Sequence, residues 1–329
     1  MHSILIIGCG SIGERHLRCF QTTGRCAVSV CDANAKLLAE VSQRYNAPGF
    51  TSLKEALAGR HFDAFVICTP AHTHLAIARE GAAHGAALLI EKPLAVTLDE
   101  IAATRSAIAS SARFTAVAYV FHSFPWVAAA RDFLQRGTFG RPLHASVNAG
   151  QHFPTFRPAY REIYYTRHAT GGGAIQDALT HLVNAMEWLI GPMTRVFCDA
   201  AHQRLDGVTV EDTVNITARH GSVLASYAMT QFQAPNEATM QIHCEHGSIR
   251  IESPAQRWGS MKLGDQDWTW HPTAPLERDE LFTAQANAFL DGMEGQATAL
   301  CTFDEAVQTL RFNCAALESA ATGLPIDIS

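Results

Sequence analysis

Several short clusters in this 329-residue chain combine residue type and spacing in ways that could do chemistry. Gly8-Cys9-Gly10-Ser11-Ile12-Gly13 follows the apolar run Ile4–Ile7 and opens a segment with helical character, Glu14–Gln21. In such a turn Gly8 permits the tight bend and Gly10 lets the backbone approach a pyrophosphate. Gly13 lets helix and strand pack closely. The first N–H groups of the helix and its positive dipole end then face the phosphates. Asp32 ends the next apolar run, Cys26–Cys31, where its carboxylate can accept bonds from ribose hydroxyls. It would repel a 2′-phosphate, so the pair favours NAD over NADP. A glycine turn in a non-binding α/β domain can carry the same six residues. The strand, the glycines and the acid together separate the two readings.

Two more strand ends carry chemistry-bearing residues: Cys68-Thr69-Pro70 and Glu91-Lys92-Pro93, each after an apolar run. Ligands of open α/β sheets bind at the carboxyl ends of strands. A partly desolvated lysine there can donate a hydrogen bond or transfer a proton, whereas a surface lysine after a strand would do neither. Further on, Gly171-Gly172-Gly173 precedes Asp177 and His181. The glycines would let a ligand approach a helix N-terminus, and the Asp–His spacing of four places both on one helical face. Histidine can take the proton that a hydroxyl loses as it becomes a carbonyl. A structural Asp–His pair has the same spacing.

The irregular stretch before these glycines holds Gln151, His152, Arg157, Tyr160, Arg161, Tyr164 and Tyr165. Aromatic faces and hydrogen-bonding edges suit a polyhydroxylated ring, while the two arginines suit a carboxylate or sulfonate. A solvated surface loop is the plain alternative. His72-x-His74 and His243-Cys244-x-His246 have metal-ligand types, but zinc needs three or four convergent ligands and no such set is visible, so no metal is expected.

The elements that must position these groups fall into two patterns. Up to residue 121 strand and helix alternate, as in a doubly wound parallel sheet. Helices are expected over Ala35–Tyr45, from Ser52 with Glu55 in a capping box, and over His72–His84. A further box, Thr97 with Glu100, is expected to open a helix to Ser111, and a last strand spans Phe114–Val120. Residues 122–329 form an α+β domain with period-two runs at Leu143–Asn148, Val208–Arg219, Val223–Thr230, Thr239–His243 and Ser248–Ile251. These predict an open, mostly antiparallel sheet. A helix over Gly173–Leu189 and two at the end complete it, the last of them packing back on the first domain.

Composition sets the frame: 47% hydrophobic and 17% charged residues suit a globular protein, and a net charge of −6 offers no basic face to nucleic acid. No apolar stretch reaches the length of a membrane span. The nine cysteines are odd in number and scattered, as buried thiols in a reducing compartment are. With no basic, apolar leader pattern at Met1, cytoplasmic residence is expected.

Gly8-x-Gly10-x-x-Gly13, Thr69-Pro70-x-x-x-His74, Glu91-Lys92-Pro93 and Gly172-Gly173-x-x-x-Asp177-x-x-x-His181 occur in this order. On these motifs the chain resembles the Gfo/Idh/MocA family, the glucose–fructose oxidoreductase and inositol dehydrogenase group of NAD(P)-dependent sugar and cyclitol oxidoreductases. The resemblance implies roles: Lys92 binds the reacting oxygen, His181 exchanges its proton, and Asp177 orients substrate and histidine. It implies that Ser11 and Ile12 contact the pyrophosphate, and that Thr69, Pro70, His74 and Glu91 line the ribose and nicotinamide end. Tyr119 and His122 would face the substrate, and His122 stands where many relatives carry arginine. Asn184 stands where they often carry aspartate. The resemblance further implies a small-molecule polyol as substrate and a homo-oligomer, dimer or tetramer, built through the exposed sheet. Three functions stay open: an NAD-dependent dehydrogenase, an NAD-retaining enzyme that uses transient oxidation to drive glycosidic cleavage or elimination, and a non-catalytic dinucleotide sensor.

Overall fold

A computed structural model describes residues 1–111 and 113–328. The chain divides into two compact units, Met1–Ser123 with Glu277–Val307, and Phe124–Leu276 with Gln308–Ser329.

In the first unit the order is β1 (His2–Ile7), α1 (Ser11–Thr22), β2 (Cys26–Cys31), α2 (Ala35–Tyr45), β3 (Gly49–Phe50), α3 (Leu53–Leu57) and β4 (Ala64–Ile67). It continues with α4 (His74–Ala83), β5 (Ala87–Ile90), α5 (Ile101–Ser111) and β6 (Thr115–Val117). The strands pair in parallel in the order β3-β2-β1-β4-β5-β6. Every residue of β4 and β5 is buried, because helices cover both faces of such a sheet. Parallel pairing brings all carboxyl ends to one edge, and the strand order reverses direction between β1 and β4. Ser52 caps α3 by accepting from Glu55 N–H, as expected, and Asn34 caps α2 by accepting from Leu37 N–H. The Thr97–Glu100 box does not form. Glu100 has φ +61° and its carboxylate takes two bonds from Arg79 at 3.1 Å, so α5 starts at Ile101.

The penultimate helix, Arg278–Met293, also belongs to this unit; of the final helix, Phe303–Thr322, only residues to Val307 do. Ion pairs explain the first assignment. Arg15 and Arg18 hold Asp279 at its start, and Arg25 reaches Asp291 at 2.8 Å and Glu294 at 2.9 Å at its end. Between them Ala286, Phe289 and Leu290 share a core with Leu17 and Phe20, and Gly292 admits the ring of Phe114. The Arg18 hydrogen bond, working against burial, holds the Asp279 carboxyl down at about 2. Because the folded value is depressed, the stabilisation is complete above about pH 4, the unfolded value, and is lost as pH falls toward the folded one. With Asp279 partly exposed, solvent screening keeps the effect small. Thermal melts at successively lower pH should show Asp279→Asn with a flatter acid limb than the parent; identical limbs would remove the pair from the acid sensitivity.

The second unit runs α6 (Pro125–Gln135), β7 (Pro142–His152), α7 (Phe153–Phe156), α8 (Thr180–Ile190), β8 (Arg195–Ala201), β9 (Thr213–His220) and β10 (Val223–Thr230). After these come β11 (Phe232–Cys244), β12 (Gly247–Glu252), β13 (Arg257–Lys262), β14 (Thr269–Pro272) and β15 (Ile326–Asp327). Its sheet has the order β14-β13-β12-β11-β7-β10-β9-β8-β15, antiparallel throughout except for β7 beside β10. Burial alternates along β8, β9 and β10. One face is apolar, with α6 packed on β12 and β13. The other exposes Phe197 and Leu224 and is hollowed by about 390 Å³ among Asn148, Asp199, Asn215, Thr217 and Ser226. No helix among the described residues is long and apolar enough to cross a membrane.

Candidate functional site

At the β1 end each glycine has a different physical reason. Gly8 has φ +97°, and a Cβ there would lie 2.7 Å from Cys68 O. A Cβ on Gly13 would lie 1.8 Å from Gly8 O, so only glycine lets α1 start this close to the strand. Gly10 is unlike both: φ is −62°, which any residue adopts, and a Cβ would meet nothing within 4 Å. No protein atom requires glycine there, so the space it leaves is available to a ligand. The first helical bond runs from Glu14 N–H to Gly10 O. The N–H groups of Ser11, Ile12 and Gly13 therefore have no partner within the helix. Asp32 stands beside them, with Oδ2 accepting Cys9 N–H and Oδ1 accepting Asn34 N–H, both at 2.7 Å. Its carboxylate thus pins the turn from the side. Burial, then the Asp32 charge, pushes the Cys9 thiol up to about 12, so it stays protonated. An open glycine, unpaired helix N–H groups and an adjacent carboxylate fit a dinucleotide.

The neighbouring strand ends carry Thr69, Pro70 and Lys92, all reachable by solvent. Two residues expected to line the cofactor are turned inward instead. His74 is buried with Nε2 2.8 Å from Thr69 O and Nδ1 3.1 Å from Pro93 O, so it ties two turns together. Glu91 is buried and accepts from His16 Nε2–H at 2.6 Å and Lys92 N–H at 3.0 Å. Tyr119 and His122, expected to face substrate, are likewise closed to solvent, and His122 Nδ1 lies against Leu300 O.

In the second unit the glycine run serves the chain itself, which corrects the expected ligand approach. A Cβ on Gly172 would lie 2.1 Å from Tyr165 O, and one on Gly173, at φ +92°, would lie 2.5 Å from Glu211 Oε1. Glu211 occupies the place expected for a ligand: its carboxylate accepts Ile175 N–H at 2.9 Å and pairs with His168. That bond raises the His168 imidazole above its ordinary range, against burial. The helix expected over Gly173–Leu189 begins as a π-turn, Ile175–Leu179, before α8. Such turns often occur at functional sites. Asp177 lies in the π-turn and His181 in the α-turn after it, both partly exposed. Tyr164 donates to Asp177 Oδ1 at 2.7 Å, so Tyr164 and Asp177 form one polar group. Asn184 is buried and donates to Thr309 Oγ1 at 3.0 Å, which accounts for its amide by packing within the unit.

The stretch expected to hold substrate divides. Gln151 and His152 end β7, His152 pairing with Thr155, while Arg157 and Tyr164 are exposed. Tyr160 and Tyr165 are core residues, packed with Phe153, Leu205, Val208 and Val210. The Tyr160 hydroxyl donates to Asp206 O at 2.7 Å, and Arg161 lies over its ring while donating to the same carbonyl at 2.8 Å. Tyr160 and Arg161 are thus committed to the loop at Asp206. Tyr160→Phe should cost about 0.5–1.5 kcal/mol of stability, measured by denaturant titration, and leave substrate KM unchanged. A raised KM at unaltered stability would return Tyr160 to the ligand.

Sequence reading missed His16, His168 and Glu211. Glu211 and the fully buried Asp212 form an acidic pair inside an otherwise apolar and polar-alternating run, which was the available signal. Asp212 accepts the N–H groups of Gln203, Arg204 and Leu205 and shapes the preceding loop.

Family models match both parts of the chain: the oxidoreductase family NAD-binding Rossmann fold over residues 2–119, and the GFO/IDH/MocA C-terminal domain over residues 127–250. Among curated relatives, levoglucosan dehydrogenase of Pseudarthrobacter phenanthrenivorans is 27% identical over 168 residues, 51% of this chain and 43% of that protein. The match thus spans less than half the length of that relative. 1,5-Anhydro-D-fructose reductase of Ensifer adhaerens is 24% identical over 98% of this chain and 97% of its own. A solved levoglucosan dehydrogenase in complex with NADH and levoglucosan has the same fold, with TM-score 0.88 at 21% identity over 99% of each chain. The open space at Gly10, the strand order and both family matches agree: this chain belongs to the Gfo/Idh/MocA oxidoreductase family and carries its NAD-binding Rossmann domain.

Proposed function

We propose that the protein is an NAD-dependent dehydrogenase acting on a secondary hydroxyl, or the corresponding ketone, of a sugar, sugar derivative or cyclitol. The observation that carries this reading is the shared edge of the first sheet. The glycine turn, Asp32, Thr69-Pro70 and Lys92 all follow carboxyl ends of parallel strands. NAD, when bound, supplies the hydride acceptor. Lys92 donates to the reacting oxygen, His181 takes its proton, and Asp177 with Tyr164 orients the hydroxyls. Dehydrogenases of levoglucosan, D-apiose and inositol among the relatives support the substrate class. Asp32 sets the cofactor choice. Asp32→Ala should weaken NAD by about 1–3 kcal/mol and narrow the gap to NADP, since ribose bonds and the tie to Cys9 N–H are lost together.

The test is calorimetric titration with NAD and NADP, followed by turnover with levoglucosan, inositol and D-apiose, and with 1,5-anhydro-D-fructose plus NADH. A parent protein that prefers NADP would overturn the Asp32 assignment, and NAD binding without turnover of any polyol or ketose would favour a sensor. The exposed sheet face, with Phe197 and Leu224, supports assembly of copies through it. A monomer by light scattering at micromolar concentration would end that part of the reading.

A further inference from the structure

Behind Lys92 lies a buried pair to which the proposed reaction gives no role. His16 sits on α1 in the buried stripe Gly13, His16, Leu17, Phe20. It is shut off from solvent, and its Nε2 lies 2.6 Å from Glu91 Oε1. The second carboxylate oxygen, Oε2, accepts Lys92 N–H at 3.0 Å. His16 Nδ1 has no hydrogen-bond partner among the described residues. The ring instead packs against Phe20 at 6.3 Å and edge-on against Phe282 at 5.6 Å. This site therefore offers an acceptor for one imidazole proton, and that acceptor is Glu91. Burial alone drives a carboxyl to take up a proton. Here burial pushes the Glu91 carboxyl up. The His16 hydrogen bond, the charges beside it and the Lys92 N–H outweigh that and hold it below the usual carboxylate range.

We propose that His16 is a positioning residue for Lys92: by donating Nε2–H to Glu91 it keeps the carboxylate ionised and fixed on the Lys92 peptide. The proposal rests on the reading of Lys92 as the group that binds the reacting oxygen. A chain of contacts then runs from the helix that begins at the glycine turn, through His16 and Glu91, to the backbone of the lysine. Without His16 the buried carboxylate would keep one hydrogen-bond donor, the Lys92 N–H, and would lose the largest of the contacts that offset its burial. It would take up a proton, and the peptide that carries Lys92 would lose its anchor.

Infrared spectra of the NAD-free protein test the first step. His16→Leu should show a carboxylic-acid band at neutral pH that is absent from the parent and from the His16→Leu/Glu91→Gln double variant. Kinetics test the second, with whichever polyol turns over in the screen. His16→Leu should lower kcat by about 10- to 100-fold with little change in KM for NAD, as a misplaced catalytic group would. His16→Gln, which restores an N–H donor, should recover most of the loss. A folded His16→Leu without the acid band overturns the proposal, and so does His16→Gln as slow as His16→Leu. If His16→Leu does not fold, Glu91→Gln should be slow while His16→Gln stays near the parent, and the reverse order overturns it. Full turnover in Lys92→Met would end the reading of Lys92 while leaving the infrared result to stand or fall by itself.

Discussion

Lys92→Met and His181→Ala should each lower kcat by about 10²–10⁴-fold, the usual contribution of a positioned proton-handling group. In the proposed reaction both would act on one proton, Lys92 stabilising the oxygen that loses it and His181 receiving it. The double variant should therefore be scarcely slower than the worse single one, since residues that act as a unit do not add. NAD affinity should change little. The glycine turn is held by Gly8, Gly13 and the Asp32–Cys9 bond, and neither substitution touches these. Stopped-flow turnover with calorimetric NAD titration of all three variants reads the result. Near-normal kcat in His181→Ala at neutral pH would remove it as the base, and multiplied losses in the double variant would mean two separate functions.

Two alanine substitutions in one turn should fail in opposite ways. Gly13→Ala places a methyl 1.8 Å from Gly8 O, an overlap that only backbone displacement relieves. Overpacking of this kind costs about 1–3 kcal/mol or more, so the melting temperature should fall along with NAD binding. Gly10→Ala meets no protein atom and demands no unusual φ, so the fold should be as stable as the parent. Its methyl would occupy the path of the pyrophosphate, and NAD affinity should drop at least about tenfold, or 1.4 kcal/mol. Melting curves and NAD titrations on the two variants separate packing from ligand contact. A Gly10→Ala protein that binds NAD normally would mean the pyrophosphate lies elsewhere.

The first unit was legible in the sequence because its signals are local. Buried strands such as Ala64–Ile67 and Ala87–Ile90 read as apolar runs, and the parallel sheet then fixes where Asp32, Thr69 and Lys92 come out. The second unit was legible in β9 and β10, where burial alternates, but the alternating β8 was not read. Nor was it legible in β13, where Gly259 lies under the rings of Trp268 and Trp270, or in β14, which has 4 residues. The stretch from Gln151 to Tyr165 has no period, so nothing in it separated Tyr160 and Tyr165, which are core, from Arg157 and Tyr164, which are exposed. The glycines at Gly172 and Gly173 looked like room for a ligand. The atoms that fill that room, Tyr165 O and the Glu211 carboxylate, come from residues whose approach depends on tertiary folding. His16 did carry a local signal: one polar ring in an otherwise apolar helical stripe points to a buried partner, here Glu91.

The assignment of Arg278–Met293 to the first unit has a consequence for how the protein is made. A ribosome that has released Met1–Ser123 has delivered all six strands of the parallel sheet but not the helix that covers Leu17 and Phe20. Phe124–Leu276 must be synthesised before Ala286, Phe289 and Leu290 arrive to close that core. Closing so long a connection is cheap at equilibrium, about 0.6 kcal/mol for each doubling of loop length, but it postpones the event. Until then the nascent first unit carries an open apolar flank and the unpaired charges of Arg15, Arg18 and Arg25. A fragment ending at Ser123 should accordingly aggregate or bind holdase chaperones, and adding Glu277–Val307 through a short linker should make it soluble.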